Sequence, residues 1–322
     1  MTDRRDSACI VSKHRKSHHR GRRLAGLSLW AGTLVLALGT AYASVNVGAH
    51  HGSSADTRGV RETDTPSPAR PGLSRIDITD PADHKSYGVY VWRPDVPETR
   101  TLPVLYFLHG VPSDPETIVR YEGLADQVRS YIAHGGTPFV LAVPDGNGSH
   151  HDDTEWANAA DGSDRIEDRV LDEVVPAVEG AHRRDAAHRA IAGFSMGGYG
   201  SMNLALRHPD VFGAVASISG YFHVDDPSHM FADRPDLIAA NRPDEHIASA
   251  RRVRVFLSAA EDETNPVVDG EPQRFKKLLD DAGVPATFVE RPGGHDWDYV
   301  RSVLPDAFAF LARGWTAADA TR

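Results

Sequence analysis

A serine between glycines, Gly193-Phe194-Ser195-Met196-Gly197, follows directly on the apolar run Ala190-Ile191-Ala192. This is the G-x-S-x-G pattern of a tight strand-to-helix turn, where the serine takes a strained backbone conformation and larger flanking residues would collide. A hydroxyl presented in that way is a candidate nucleophile for covalent acyl chemistry. Met196 to Arg207 reads as the helix after the turn. Its first amides, that of Met196 among them, are expected to point at the serine and to stabilise a developing oxyanion. Alone, five residues also fit an ordinary small-residue turn of an α/β protein.

An activated serine needs a base, and after a turn of this kind the partners follow along the chain as acid and then histidine. Of the 17 histidines, His295 is the only one after His246, and it lies in the glycine-rich stretch Pro292-Gly293-Gly294-His295-Asp296-Trp297. The orienting carboxylate is expected after a strand at Arg252 to Ser258, where Ala259-Ala260-Glu261-Asp262-Glu263 crowds three acids together. If Ala260 is the small residue three positions before the acid, the partner is Glu263; if Ala259 is, the partner is Asp262.

The second oxyanion donor should come from an earlier loop. The apolar run Leu102 to Leu108 reads as a central buried strand and opens into His109-Gly110-Val111-Pro112, which makes the Val111 amide the candidate. His109 reads as structural or as lining the substrate pocket. Trp156 and Tyr221 fit either the apolar wall of that pocket or the core.

The blocks Phe107-Leu108-His109-Gly110, Gly193 to Gly200, Arg207-His208-Pro209-Asp210-Val211-Phe212, Ser217-Ile218-Ser219-Gly220 and Gly293-Gly294-His295-Asp296-Trp297 together resemble the α/β-hydrolase esterase family. That family includes feruloyl and acetyl-xylan esterases, formylglutathione-hydrolase-like esterases and mycolyltransferases. The resemblance spans about residues 74–313. It implies Ser195 as nucleophile, His295 as base, and Val111 and Met196 as oxyanion donors. Esterase relatives usually carry one Asp after a glycine at the acid position, whereas mycolyltransferases carry Glu, so the acid-rich segment here departs from the esterase pattern and keeps acyl transfer in view.

Segments of strand and helix character alternate from Ser74 to about Arg313, the pattern of an α/β fold with helices on both faces of a mostly parallel sheet. Strands are expected at 74–79 and 87–92 as an opening antiparallel pair, then at 104–108, 139–143, 187–192, 213–218, 253–258 and 287–290. Helices are expected near 118–133, 165–179, 196–207, 272–282 and 298–312. Residues 235–250 read as a short lid-like helix over the site, and 314–322 as a C-terminal tail.

Residues 1–43 carry eight Lys or Arg and two Asp, all before the uncharged run Leu24 to Ala43, which ends in the small-x-small sequence Ala41-Tyr42-Ala43. The pattern is that of a signal peptide cut near Ser44, with a signal anchor over 24–43 as the alternative. Either places the remainder outside the cytoplasm. The lone Cys9 precedes the apolar run, so it is not placed for lipid attachment. Residues 44–73, rich in Gly, Ser, Thr, Pro and charge, read as a linker. Beyond residue 43 the formal charge moves from −10 to −16. Such an acidic chain without a basic aromatic stripe argues against nucleic acid as a partner, and membrane contact is expected only through an uncleaved N-terminal segment.

Asp145-Gly146-Asn147-Gly148-Ser149 begins like a calcium loop, but His150 and Trp156 stand where glycine and a bidentate acid belong. His150-His151-Asp152-Asp153 are neighbours in sequence, and such residues rarely converge on one ion. No metal or cofactor is expected, and the segment reads as a mobile loop shaping the substrate pocket. The sequence thus points to a secreted serine esterase acting on a small-molecule, polysaccharide or lipid ester. The alternatives are acyl transfer to a sugar or lipid alcohol in the cell envelope, and a non-catalytic envelope- or carbohydrate-binding relative.

Overall fold

The computed structural model describes residues 72–79, 84–97 and 102–315. The expected signal segment, Cys9 and nearly all of the linker lie outside the described residues. Eight strands form one sheet: β1 (Gly72–Thr79), β2 (Ser86–Arg93), β3 (Val104–Leu108), β4 (Val140–Pro144), β5 (Arg189–Phe194), β6 (Ala214–Ile218), β7 (Arg254–Ala260) and β8 (Ala286–Arg291). Their order is β1-β2-β4-β3-β5-β6-β7-β8. β1 and β2 pair antiparallel, β2 meets β4 antiparallel, and every pairing from β4 to β8 is parallel. All eight strands match the expected segments to within two residues.

The helices are α1 (Leu124–Ala133), α2 (Ile166–Asp168), α3 (Val175–Glu179), α4 (Met196–Arg207), α5 (Pro227–Phe231), α6 (Pro235–Ala240), α7 (Glu271–Asp281) and α8 (Trp297–Leu311). Two expected helices are subdivided. Gly123, at φ 73°, separates a π-helical turn at Thr117–Tyr121 from α1. A wider π-helical stretch, Arg169–Val174, joins α2 to α3, and the α-register resumes beside Pro176, which has no amide to donate.

The apolar runs in the strands are continuous because both faces of the sheet are covered. Successive β3 side chains alternate between them. Val104, Tyr106 and Leu108 join the core that includes Leu204, Leu206 and Phe275. Leu105 and Phe107 join the core that includes Leu124 and Val128 of α1 and Val300, Leu304 and Phe308 of α8. Trp315 corrects the expected tail: it is 3% exposed, its Nε1 donates to Ala187 O at 2.9 Å, and its ring lies 5.7 Å from Phe139.

The expected lid is also corrected. Residues 243–252 form a 3₁₀ segment that packs on α4, α7 and β7, with Ala250 in the core. Asn241, at the end of α6, accepts from Tyr199 Oη through its carbonyl and from Asn203 Nδ2 through its side chain. These contacts hold the segment against the flank of α4.

The chain passes from β3 outward to β4 and then returns to β5 on the other side of β3. This reversal leaves a crevice at the carboxyl ends of β3 and β5, where open α/β sheets bind their ligands. Both strands end there in register, Leu108 opposite Gly193. The His109 turn and Ser195 therefore emerge side by side.

Candidate active site

Ser195 has φ 59° and ψ −123° and stands between β5 and the first residue of α4. Its glycine flanks are required by close backbone approach. A Cβ on Gly197 would lie 2.1 Å from Leu108 O, and one on Gly193 would lie 2.3 Å from Gly197 O and 2.7 Å from Leu108 O. Only bare α-carbons let the elbow close against the end of β3. The serine is 8% exposed, and Ser195 N donates to Ile218 O at 3.1 Å. Met196 opens α4, so its amide belongs to the first turn, whose donors have no acceptor within the helix.

His295 reaches the serine from the loop between β8 and α8. Its Nε2 is 2.8 Å from Ser195 Oγ, and its Nδ1 is 2.8 Å from Glu263 Oε2. Glu263 follows β7, and its other oxygen accepts from Thr264 N at 3.0 Å and Asn265 N at 2.9 Å. Those amides aim the carboxylate, whose side chain is only 6% exposed. Asp262 is exposed, and its amide donates to Gly293 O at 2.9 Å, bracing the loop that carries the histidine. Of the two candidate acids, Glu263 is the one whose carboxylate meets His295, because the turn after β7 aims it inward. The Phe194 ring lies 4.6 Å from that of His295 and limits its movement.

On the other side of Ser195 stands the turn after β3. A Cβ on Gly110 would lie 3.1 Å from Phe194 O and 3.2 Å from Ser195 Cβ, so this turn is in contact with Ser195. Val111, 37% exposed, presents apolar surface there.

Three expected pocket residues belong to the core instead. His109 is fully buried, with Gly110 O and Gly146 N each 2.9 Å from a ring nitrogen. Trp156 is also fully buried: a Cβ on Gly146 or Gly200 would lie 2.4 or 2.5 Å from it, and its Nε1 donates to His109 O at 3.0 Å. Tyr221 is 4% exposed, stacks on Tyr199 at 4.9 Å and donates to Glu155 Oε2 at 3.0 Å. Sequence reading cannot tell a wall from a core for these rings, because the elements that cover them come from distant parts of the chain.

Asp164 carries no mark in the sequence that sets it apart. Its carboxylate is buried and accepts from the amides of Ser149 (2.6 Å), His150 (3.0 Å) and His151 (2.9 Å). Burial pushes its pKa up, but these amides and the His151 ring more than offset that and leave it below the ordinary value. The segment read as a mobile loop is thereby pinned. The one available signal was an acid at the end of the Gly162-Ser163-Asp164 turn, which resembles any surface turn. Among the described residues no group of three His, Cys, Asp or Glu is arranged to hold a metal, and no helix is long and apolar enough to cross a membrane.

A mostly parallel eight-stranded sheet covered by helices, with a glycine-flanked elbow at its crevice, is an α/β-hydrolase fold. Residues 83–311 match the Esterase family model, and the chain belongs to that family. It is 29% identical over 245 residues to Esterase Rv1288 of Mycobacterium tuberculosis H37Rv, an alignment covering 65% of this chain and 52% of that protein. The chain spans about half the length of the curated relatives it matches. Among solved structures it is similar to a ferulic acid esterase, with a TM-score of 0.66, 26% identity and coverage of 76% of this chain and 98% of the other. An S-formylglutathione hydrolase of Staphylococcus aureus shares the fold, with a TM-score of 0.62, 18% identity and coverage of 76% and 100%.

Proposed function

We propose that the protein is a serine esterase that cleaves carboxylic esters through an acyl-enzyme on Ser195. The observation that carries this reading is His295, with one nitrogen 2.8 Å from Ser195 Oγ and the other 2.8 Å from Glu263 Oε2. In this reading Ser195 Oγ attacks the ester carbonyl as His295 Nε2 takes its proton. Glu263 holds the imidazole in the Nδ1–H tautomer and stabilises the imidazolium that forms. The carbonyl oxygen, now an oxyanion, is held by the amides of Met196 and Val111. His295 passes its proton to the leaving alcohol, then deprotonates a water that attacks the acyl group and returns that proton to Ser195 Oγ as the bond to the acyl carbon breaks, so the carboxylic acid departs and the serine is restored. The chemistry needs no cofactor.

The acid position favours a second reading, acyl transfer, because a glutamate there matches the mycolyltransferase pattern. In that reaction a sugar or lipid alcohol replaces water at the second step. The uncharged run 24–43 supports a site of action outside the cytoplasm. Amino-terminal sequencing of the exported protein tests that placement by locating a cut near Ser44.

The first experiment is hydrolysis of p-nitrophenyl acetate, butyrate and octanoate by the full chain, beside Ser195→Ala, with and without an added acceptor alcohol. Turnover lost in Ser195→Ala supports the esterase, and ester formed on the acceptor in preference to free acid supports transfer. A folded wild type that neither turns over nor labels on Ser195 with a fluorophosphonate refutes both and favours a binding role.

A further inference from the structure

We propose that His109 is a positioning residue: its ring, held as the neutral Nδ1–H tautomer, orients the Gly110–Val111 peptide so that the Val111 amide serves the oxyanion. The inference rests on Ser195 as nucleophile and adds what aims the second oxyanion donor.

The tautomer follows from the two partners of the ring. Gly110 O, 2.9 Å from Nδ1, can only accept, so Nδ1 carries the hydrogen. Gly146 N can only donate, and it meets Nε2 at 2.9 Å, so Nε2 supplies a lone pair. Asp145 Oδ1, 3.8 Å from Nε2, is beyond hydrogen-bond reach. With both nitrogens engaged and no exposure to solvent, the ring cannot touch substrate. Its effect on the reaction passes through the backbone it holds.

That backbone is the peptide between Gly110 and Val111. Its carbonyl and its N–H lie in one rigid plane and, since the bond is trans, point in opposite directions. Pinning Gly110 O to Nδ1 therefore fixes the direction of Val111 N–H. Glycine at 110 is needed for this peptide to lie against Phe194 and Ser195. Without the ring contact, the same glycine leaves the turn free to rotate.

The anchor is itself fixed. Gly146 O accepts from Thr154 Oγ1 at 2.7 Å, His109 O accepts from Trp156 Nε1 at 3.0 Å, and Asn147 Nδ2 donates to Ser113 O at 3.1 Å. Asp164 gathers the three amides that follow in this loop. The turn after β3 is thus held from the β4 side at His109 and again at Ser113.

The test uses the full chain and the variants His109→Phe, His109→Asn and His109→Gln. It measures kcat and KM on p-nitrophenyl butyrate, affinity for an alkyl boronic acid that forms a tetrahedral serine adduct, and urea midpoints. Phe keeps a ring beside Trp156 and loses both polar contacts. Asn retains a donor for Gly110 O at the place of Nδ1, and Gln retains an acceptor for Gly146 N at the place of Nε2.

The expected result is a fall in kcat of about 100-fold for His109→Phe with KM changed by less than about twofold, and a parallel loss of boronate affinity. His109→Asn should recover more of kcat than His109→Gln. A folded His109→Phe with wild-type kcat overturns the proposal. If that variant does not fold, Asn and Gln decide: kcat losses of equal size that follow the urea midpoints indicate a structural role only and overturn it. Absence of turnover and of Ser195 labelling in the wild type overturns the esterase reading and this proposal with it.

Discussion

Glu263 Oε2 lies 2.8 Å from His295 Nδ1, while the neighbouring Asp262 braces the histidine loop through its amide alone. Glu263→Gln leaves the imidazole without a carboxylate to select its tautomer and stabilise its charge, and kcat is expected to fall about 10⁴-fold. Asp262→Ala keeps the amide bond and should stay within about twofold of wild type. Ester hydrolysis by the two purified variants checks both outcomes.

The elbow predicts a severe backbone effect. In Gly197→Ala the new methyl would stand 2.1 Å from Leu108 O, a main-chain atom of a central strand that no rotamer change can clear. Destabilisation of at least about 3 kcal/mol is expected, read as a lower urea midpoint or as loss of soluble protein.

A buried ion pair makes stability depend on pH at the acid end. Arg189 Nε and Nη2 donate to Glu179 Oε1 and Oε2 at 2.7 and 2.8 Å, and Tyr106 Oη and Arg184 N donate to the same carboxylate. Burial raises the pKa of Glu179, but the hydrogen bonds from Arg189 and Arg184 with their charges outweigh it and hold the carboxyl below the ordinary 4.5. A carboxyl depressed in the folded state stabilises fully above its unfolded value and loses that contribution as pH falls through its folded value. Glu179→Gln strands the Arg189 charge, which is expected to cost about 3–5 kcal/mol at neutral pH. The gap from wild type should narrow below about pH 4 in urea titrations.

Glu155 predicts the opposite sign. Burial first, then the charge of Asp153, push its carboxyl well above the ordinary 4.5, against the lowering effect of the Tyr221 hydroxyl. The folded state therefore favours the protonated acid, and stability falls as pH rises above the unfolded value. Glu155→Gln removes that penalty while keeping an acceptor for Tyr221. Its melting temperature should exceed that of wild type, by more at pH 8 than at pH 5.

Much of this architecture was legible in the residues. The central parallel strands β3 and β5 are buried on both faces, so Val104 to Leu108 and Ala190 to Phe194 appear as unbroken apolar runs whose ends are plain. Ser195 was visible because its elbow forces glycine at two fixed positions, and His295 because no other histidine follows the serine at a suitable place. Local patterns failed where the outcome depended on what arrives from far along the chain. Residues 243–252 have helical character, but only their packing against α4 shows them to be a flank support. Trp315 falls within the expected tail by its position, yet Phe139 packs on its ring and Ala187 O accepts from its Nε1.

By itself the sequence determined the strands, most of the helices, and Ser195 and His295 as the candidates for nucleophile and base, because each depends on local sterics or on order along the chain. Tertiary structure alone decided that Glu263 faces His295, that His109, Trp156 and Tyr221 are enclosed, and that Asp164 gathers the loop after β4. Each of those outcomes is set by the direction of a side chain relative to groups tens of residues away. That direction is fixed only when β3, β5, β7 and β8 come into register and bring their carboxyl ends to one edge of the sheet.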